Sequence, residues 1–246
     1  MAASNDARIW GVMAASGSGK GLWLNEFLRR ERPARLVISD FKLEYGEHAP
    51  LLVRNLADVR AAMLKAGDGP LRLRFKSKAG TSAKQQMAEF EGLCRLVQAW
   101  QNCCFLAEEL SNFTTPSWAP PAWREMTTGG RHEAVHIIGV AQNPALIDKT
   151  FLSNCTLIHV GPLRQAAHRQ AVATSMDVDP GRLARLVKFQ WIEKDFDTGA
   201  VKDGWVRPPG QKGQKSAPTP RGPSGTATGT AEGGQQASPG PKVATR

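Results

Sequence analysis

Short apolar runs alternate along the chain with longer stretches in which apolar residues recur every three or four positions. The runs are typical of buried strands and the stretches of amphipathic helices, so their order predicts an α/β fold with a mainly parallel sheet flanked by helices. The predicted strands are residues 8–13, 35–39, 71–75, 103–107, 135–141 and 156–160, and the predicted helices are residues 20–30, 56–65, 82–100 and 145–152. Two further helices and a C-terminal β-hairpin of residues 187–193 and 199–206 complete the predicted fold.

The composition changes after Trp205. From Pro208 onward the chain consists mainly of Gly, Pro, Ser, Thr, Gln and Ala, with almost no large apolar side chain. Such a segment buries too little apolar surface to offset the entropy of ordering it. We therefore predict one folded domain at residues 1–206 and a disordered, basic, Gly/Pro/Ser/Thr-rich tail at residues 207–246.

Length and composition fit a single core, because the chain has 246 residues of which 41% are hydrophobic. The sequence has no apolar run of about 18 residues and does not begin like a secretory signal, so we expect a soluble cytoplasmic protein, not an integral membrane protein. Its cysteines lack metal-ligand spacing and are predicted to be buried, reduced thiols. They are Cys94, Cys103, Cys104 and Cys155.

The net charge of +10 is unevenly distributed. The predicted tail contains six Lys or Arg and one Glu, which is half of the net charge, so the predicted domain is only mildly basic. This charge is compatible with a nucleic-acid partner, because cations that neutralise phosphates release counterions.

A glycine-rich loop lies between the first predicted strand and the first predicted helix. It comprises Ala14, Ala15, Ser16, Gly17, Ser18, Gly19, Lys20 and Gly21. In a phosphate-binding loop the backbone N–H groups converge on the phosphates, and Lys20 would reach the β- and γ-phosphate oxygens. Ala14 replaces a usual glycine, and Gly21 replaces the Ser or Thr whose hydroxyl binds Mg²⁺. The loop predicts an ATP site with altered metal binding, and a glycine turn that only begins a helix is the alternative.

Paired carboxylates follow the apolar run at residues 103–107. In a Walker B strand end, Glu108 would hold Mg²⁺ through water and Glu109 would polarise the attacking water. The register of this motif along the sequence, and with it the assignment of the two roles, stays open by one residue. Acidic residues that merely favour the start of a helix are the alternative.

Four elements, in their order along the chain, resemble the FtsK-HerA family of P-loop ATPases across residues 9–161. Two are the glycine-rich loop and the paired carboxylates. A third lies between them at residues 36–45, LVISDFKLEY, which is similar to the family's apolar strand followed by Asp-Pro-Lys-Gly-Glu-Tyr. The fourth is residues 130–144, GRHEAVHIIGVAQNP, which is similar to its Gly-Arg, apolar strand and Thr-Gln-Arg-Pro sequence.

The resemblance implies a RecA-like P-loop NTPase core that uses ATP and Mg²⁺, forms a homo-oligomeric ring, expected to be a hexamer, and translocates double-stranded DNA without sequence preference. Gln142 would sense the γ-phosphate and orient water, and a helix-capping role is the alternative. Arg131 would reach a neighbouring subunit's nucleotide, where an arginine supplied in trans stabilises the transferring phosphoryl group. Arg124, Arg164 and Arg169 are rivals for that role.

Two features of the sequence are candidates for DNA or subunit contact. Residues 72–78, RLRFKSK, together with Lys84, form the densest basic cluster and would contact phosphates. A solvated strand face is the alternative. Trp118 and Trp123, in a Pro-rich loop at residues 114–123, would pack at a subunit boundary or onto their own core.

The small size resembles the minimal genome-packaging ATPases of tailless icosahedral phages with internal membranes. This resemblance implies viral genome packaging, capsid or portal-vertex proteins as further partners, and a location in the host cytoplasm or the virion. A filamentous-phage-type assembly ATPase, a nucleoside monophosphate kinase-like enzyme and a nucleotide-binding protein without hydrolysis are the alternatives.

Overall fold

The computed structural model of the chain describes residues 8–129 and 134–208. The strands are β1 (Ile9–Met13), β2 (Arg35–Ser39), β3 (Leu51–Val53), β4 (Leu71–Phe75), β5 (Cys104–Ala107), β6 (His136–Ala141), β7 (Leu157–Val160), β8 (Gln190–Asp195) and β9 (Val201–Trp205). The helices are α1 (Lys20–Glu31), α2 (Leu56–Ala66), α3 (Ala83–Trp100), α4 (Pro121–Gly129), α5 (Lys149–Asn154), α6 (Ala166–Met176) and α7 (Pro180–Ala184). Two 3-10 turns, Leu110–Asn112 and Pro144–Leu146, follow β5 and β6.

The strands form one nine-stranded sheet in the order β3-β4-β2-β5-β6-β1-β7-β8-β9. All neighbours from β3 to β7 pair in parallel, and the β8–β9 hairpin adds antiparallel strands at one edge. The predicted α/β fold, with its mainly parallel sheet and C-terminal hairpin, is confirmed. β6 lies between β1 and β5 and pairs in parallel with both. The carboxyl ends of these three strands therefore lie side by side at the same end of the sheet.

Apolar side chains cover both faces of the sheet. On β5, Phe105 belongs to one hydrophobic cluster while Cys104 and Leu106 belong to the other, as the alternation of side chains along a strand requires. All four cysteines are free and buried, and burial raises the pKa of the Cys103 thiol to about 12. The prediction of buried, reduced thiols is therefore confirmed.

Three local differences from the predicted elements have physical reasons. β3 was not predicted, because its three residues carry too little periodicity and are held by pairing with β4. The Pro-rich loop ends earlier than expected, because Pro121 begins α4. The helix predicted at residues 145–152 is divided, because the Asp148 side chain accepts hydrogen bonds from the N–H groups of Thr150 and Phe151 and begins α5 there.

The two tryptophans of that loop differ in environment. Trp123 is fully buried in the core of its own chain, whereas Trp118 is 46% exposed. Among the residues described, no helix is both long and apolar enough to span a membrane. Arg131 lies outside the described residues, and so does residue 209 onward, which is most of the predicted tail.

Candidate nucleotide-binding site

The glycine-rich loop leaves β1 and enters α1 through two glycines with left-handed backbone conformation. The φ angle is 74° at Gly17 and 110° at Gly19. These conformations favour glycine, because a Cβ would strain them. Gly19 is the N-cap of α1, and it has no side chain that could accept hydrogen bonds from the first-turn N–H groups. The first-turn N–H groups of α1 therefore suit an anionic ligand.

Neighbouring segments hold the loop in place. The Ala15 N–H donates to the Pro162 carbonyl at 2.9 Å, and the Phe189 N–H donates to the Ser18 carbonyl at 3.0 Å. The Ser18 hydroxyl donates to the Pro162 carbonyl at 3.4 Å. The loop is thus held by the segments that follow β7 and precede β8. A loop that is already held in place has a lower entropic cost of binding a ligand.

A cleft of about 410 Å³ lies against the loop. It is lined by Ala15, Ser16, Gly17, Gly19, Lys20, Gly21, Leu22, Asn25, Lys42, Glu44, Gln142, Lys188 and Phe189. Most of the predicted loop residues and Gln142 therefore share one cleft. Two loop residues do not line the cleft. Ala14 is buried, and the Ser18 hydroxyl donates to the Pro162 carbonyl.

Lys20, the first residue of α1, lines the cleft together with Lys42 and Gln142. Burial lowers the pKa of its ammonium group, while the negative charges of Glu108 and Glu109 raise it. Lys20 is half-buried, so its ammonium group is partly desolvated. A partly desolvated ammonium group interacts more strongly with phosphate than one in water.

Glu109 is the centre of a polar cluster. Its Oε1 accepts a hydrogen bond from Lys42 Nζ at 2.5 Å and another from Gln142 Nε2. Its backbone has a φ angle of 52°, a conformation uncommon for a residue other than glycine. The structure thus brings the predicted Glu109 and Gln142 together and adds Lys42 to them.

Glu108 has a different environment. It is fully buried, and its Oε1 accepts a hydrogen bond from the Tyr45 hydroxyl at 3.2 Å. Its Oε2 is buried without a hydrogen-bond partner among the described residues. Burial raises the pKa of the Glu108 carboxyl, and the nearby Lys20 ammonium opposes that shift.

The segment after β2 carries Lys42 and Tyr45 to the acidic pair. The buried Asp40 carboxylate accepts hydrogen bonds from the N–H groups of Glu44 at 3.0 Å and Tyr45 at 3.3 Å. Arg74 Nη1 lies 3.5 Å from the same carboxylate. The roles of Asp40, Lys42 and Tyr45 were not predicted, although the motif at residues 36–45 contains all three.

The residues present could supply one protein ligand to a bound Mg²⁺ ion. Mg²⁺ in nucleotide sites keeps several waters and binds one or two carboxylates together with phosphate oxygens. The unpartnered Glu108 Oε2 suits this role. Gly21 offers no hydroxyl, and among the described residues no heavy atom outside its chain neighbours and its own helix backbone lies within 4 Å of the position its Cβ would take. Glu108 would therefore hold the ion with water and the phosphates of the nucleotide.

The rival arginines lie outside this cleft. Arg169 Nη1 donates to the carbonyls of Leu163 at 2.9 Å and Arg164 at 2.8 Å, so its guanidinium is engaged within its own chain. Arg124 and Arg164 are exposed. The role assigned to Arg131 stays a prediction.

Much of the basic cluster at residues 72–78 is engaged in internal contacts. Arg72 donates to the carbonyls of Pro33 and Arg32, Arg74 donates to the Ala49 carbonyl, and Lys76 donates to the Phe41 carbonyl. Lys78 and Lys84 remain exposed. Phosphate contact by this cluster stays a prediction, and Lys78 and Lys84 are its exposed members without these internal contacts.

A parallel sheet with a phosphate loop after β1, acidic residues after β5 and a polar strand end between them has the RecA-like arrangement of a P-loop NTPase. No family model matches the sequence. Protein P9 of Pseudoalteromonas phage PM2 is 25% identical over 179 residues, which cover 71% of this chain and 78% of P9.

Solved structures share the fold. The genome packaging NTPase B204 from Sulfolobus turreted icosahedral virus 2, in complex with ATP-gammaS, superposes with a TM-score of 0.64 at 15% identity and covers 80% of this chain and 96% of its own. VirB4 of Thermoanaerobacter pseudethanolicus superposes with a TM-score of 0.59 at 13% identity and covers 84% of this chain and 91% of its own. This shared fold confirms the predicted RecA-like fold. It agrees with the resemblance to the FtsK-HerA P-loop ATPases that the motifs indicate.

Proposed function

We propose that the chain is an ATPase that translocates double-stranded DNA and serves viral genome packaging. One observation carries the proposal. The strands β2, β5, β6 and β1 are successive neighbours in the sheet, and their carboxyl ends deliver Lys42, the Glu108–Glu109 pair, Gln142 and Lys20 to one place. This set contains phosphate-binding cations, a metal-binding carboxylate and a general base, which are the groups that ATP hydrolysis needs.

Each of these groups has a separate task in the proposed reaction. The loop N–H groups and Lys20 would bind the phosphates. Glu108 would hold Mg²⁺, which would neutralise charge on the phosphate oxygens. Glu109 accepts a proton from the attacking water. Lys42 and Gln142 both donate to Glu109 Oε1. A γ-phosphate oxygen would compete for the same two donors. Their transfer to phosphate would release Glu109 for catalysis.

The proposed biological role rests on the similarity to viral proteins and on the net charge of the chain. B204 is a viral genome packaging NTPase, and P9 is a phage protein. The net charge of +10 favours a polyanionic partner such as double-stranded DNA. We further propose a homo-oligomeric ring, a hexamer, that docks on capsid or portal-vertex proteins in the host cytoplasm or on the virion. In this ring Arg131 would act on the nucleotide of the neighbouring subunit.

The test is steady-state ATP hydrolysis as a function of protein concentration, with and without duplex DNA. The wild type should show specific activity that rises with protein concentration and is stimulated by DNA. Lys20→Ala should lower turnover by about 100-fold or more, because it removes a cation that stabilises phosphate charge. Lys65→Ala, which changes an exposed lysine on α2, is the matched control and should behave as wild type.

The possible results separate the alternatives. Full ATPase activity in Lys20→Ala would remove the phosphate-loop assignment. Phosphoryl transfer to a nucleoside monophosphate would favour the kinase-like alternative. ATP binding without turnover, at any DNA concentration, would favour a nucleotide-dependent scaffold.

A further inference from the structure

The turn before β8 reaches the nucleotide cleft from the side of β1 that lies away from β6. Its residues Lys188 and Phe189 line the same cleft as Lys20 and Lys42. Neither residue was predicted from the sequence, because the resemblance ends before the closing hairpin. The turn nevertheless forms part of the wall of the site.

Phe189 packs directly against the phosphate loop. Its N–H donates to the Ser18 carbonyl at 3.0 Å, and its ring Cδ1 lies 3.0 Å from the position that a Cβ on Gly19 would occupy. On its other side, its carbonyl accepts a hydrogen bond from the Val206 N–H at 2.8 Å, and its ring meets Trp205 edge-on at 6.3 Å. Phe189 therefore links the hairpin to the loop.

The backbone of Phe189 has a φ angle of 72°. A bulky side chain in the left-handed region is an outlier, and such residues persist where their surroundings hold them, often at ligand sites. The contacts to Ser18 and Trp205 are the surroundings that hold this turn. The same turn exposes the preceding residue, Lys188, within the cleft.

Lys188 differs from the other two lysines of the cleft. Lys20 lies close to Glu108 and Glu109, and Lys42 forms an ion pair with Glu109. Lys188 has no carboxylate partner among the described residues and contacts the Phe189 ring at 4.9 Å from its centroid. Its charge is thus available to an anionic ligand that enters the cleft.

We propose that Lys188 binds the phosphates of the nucleotide held in its own subunit, and that Phe189 is a positioning residue that holds both Lys188 and the phosphate loop. This inference rests on the proposed function, since it assigns a second phosphate-binding lysine to the same site. It makes the closing hairpin a part of the nucleotide site.

The test compares the affinities of full-length Lys188→Ala, Lys188→Arg and wild-type protein for ATPγS, ADP and AMP. Lys188→Ala should weaken ATPγS binding by about tenfold, or about 1.4 kcal/mol, and AMP binding by much less, because fewer phosphates are available to Lys188. Lys188→Arg should keep most of the affinity, because it keeps the charge. Lys202→Ala is the matched control, since Lys202 is exposed on β9 of the same hairpin.

Unchanged ATPγS affinity in Lys188→Ala would overturn the inference, and so would an equal loss for AMP and ATPγS. Lys20→Ala, measured beside it, separates this failure from failure of the proposed function. If Lys20→Ala weakens ATPγS binding and Lys188→Ala does not, only the inference fails. If neither variant weakens binding, the phosphate-loop assignment fails as well.

Phe189→Gly tests the positioning role, because glycine accepts the φ angle of 72° while the ring is removed. We expect a KM for ATP several-fold above the wild-type value with a smaller change in kcat, and rescue by Phe189→Tyr. A KM equal to that of the wild type would remove Phe189 from the proposal. Thermal unfolding of the same variant shows whether the fold is retained.

Discussion

Two adjacent glutamates at the end of β5 occupy environments that suit different tasks. Glu108 is fully buried beside Tyr45, and burial raises the pKa of its carboxyl. Glu109 is 8% exposed and receives hydrogen bonds from Lys42 and Gln142. A metal ligand and a general base need this kind of difference, because one must hold an ion while the other must exchange a proton.

We predict distinct phenotypes for the two glutamates. Glu109→Gln should bind ATP as wild type does but lower single-turnover hydrolysis by about 100-fold or more, because a general base is lost. Glu108→Gln should shift the Mg²⁺ concentration needed for half-maximal activity upward, with a smaller effect on nucleotide binding. Both are measured by single-turnover hydrolysis and ATPγS binding across a Mg²⁺ titration.

Glu125→Gln, on an exposed position of α4, is the control for the change from carboxylate to amide. It should leave both measurements unchanged. If Glu108→Gln abolishes turnover and Glu109→Gln alters the Mg²⁺ requirement, the two roles are assigned one residue out of register.

At the scale of single residues, the sequence predicted the groups that directly follow strands. Glu109 and Gln142 end up together because parallel strands bring their carboxyl ends to one edge. Lys42 was missed as a site residue because its partner Glu109 is 67 positions away along the chain. Lys188 was missed because its approach depends on the left-handed backbone of Phe189, which no local pattern of a phenylalanine indicates.

At the scale of elements, an aromatic layer joins β1, α1 and β6. The His136 ring, at the start of β6, meets Trp10 edge-on at 4.5 Å between centroids and Phe27 at 5.8 Å. Burial lowers the pKa of His136 to about 4, and its Nε2 has no hydrogen-bond partner among the described residues. The folded protein therefore keeps this ring neutral at a pH where the unfolded chain protonates it.

This lowered pKa predicts a loss of stability in acid. Since the unfolded state binds a proton near pH 6.5 and the folded state near pH 4, His136 lowers the free energy of unfolding as the pH falls through this interval. The expected loss is ~2 kcal/mol between pH 7 and pH 5. His136→Phe, which keeps an aromatic ring in the layer, should lose correspondingly less than the wild type. Urea unfolding of both proteins at the two pH values measures the difference, and parallel losses would contradict the assignment.

The elements themselves were predictable where an apolar run was several residues long or an amphipathic repeat continued beyond one turn of helix. β2 and β4 have the predicted bounds, because β2 is a nearly continuous apolar run and β4 alternates apolar and basic residues. β3 was not predictable from its own sequence, because it is a short edge strand whose first residue is 43% exposed. Its conformation depends on pairing with β4, which is a property of the sheet.

At the scale of the molecule, the sheet order explains why one cleft collects residues from distant parts of the chain. The loop after β1 is flanked on one side by β6, β5 and β2, and on the other by β7 and the hairpin β8–β9. The cleft is consequently lined from Ala15 to Phe189. We propose that the domain at residues 1–206 is the unit of nucleotide binding, since the segments that line the cleft extend from Ala15 to Phe189.

The tail that we predict from residue 207 onward contributes basic charge rather than apolar surface. Deleting Pro208–Arg246 removes five Lys or Arg and one Glu. We expect ATPase activity and the melting temperature to stay nearly unchanged, because the deleted residues include almost no large apolar side chain that could join a core. DNA binding should weaken mainly at low salt, because the tail would hold DNA near the domain by phosphate contacts.

A salt series on the full chain and on the truncated chain measures this contribution. Each phosphate contact adds about 0.9 to the slope of log affinity against log salt concentration for duplex DNA, so the truncated chain should have the shallower slope. At high salt the two affinities should converge, since the counterion release that favours the tail becomes small. An unchanged slope would remove the tail from DNA binding, and a large fall in the melting temperature would show that these residues belong to the folded domain.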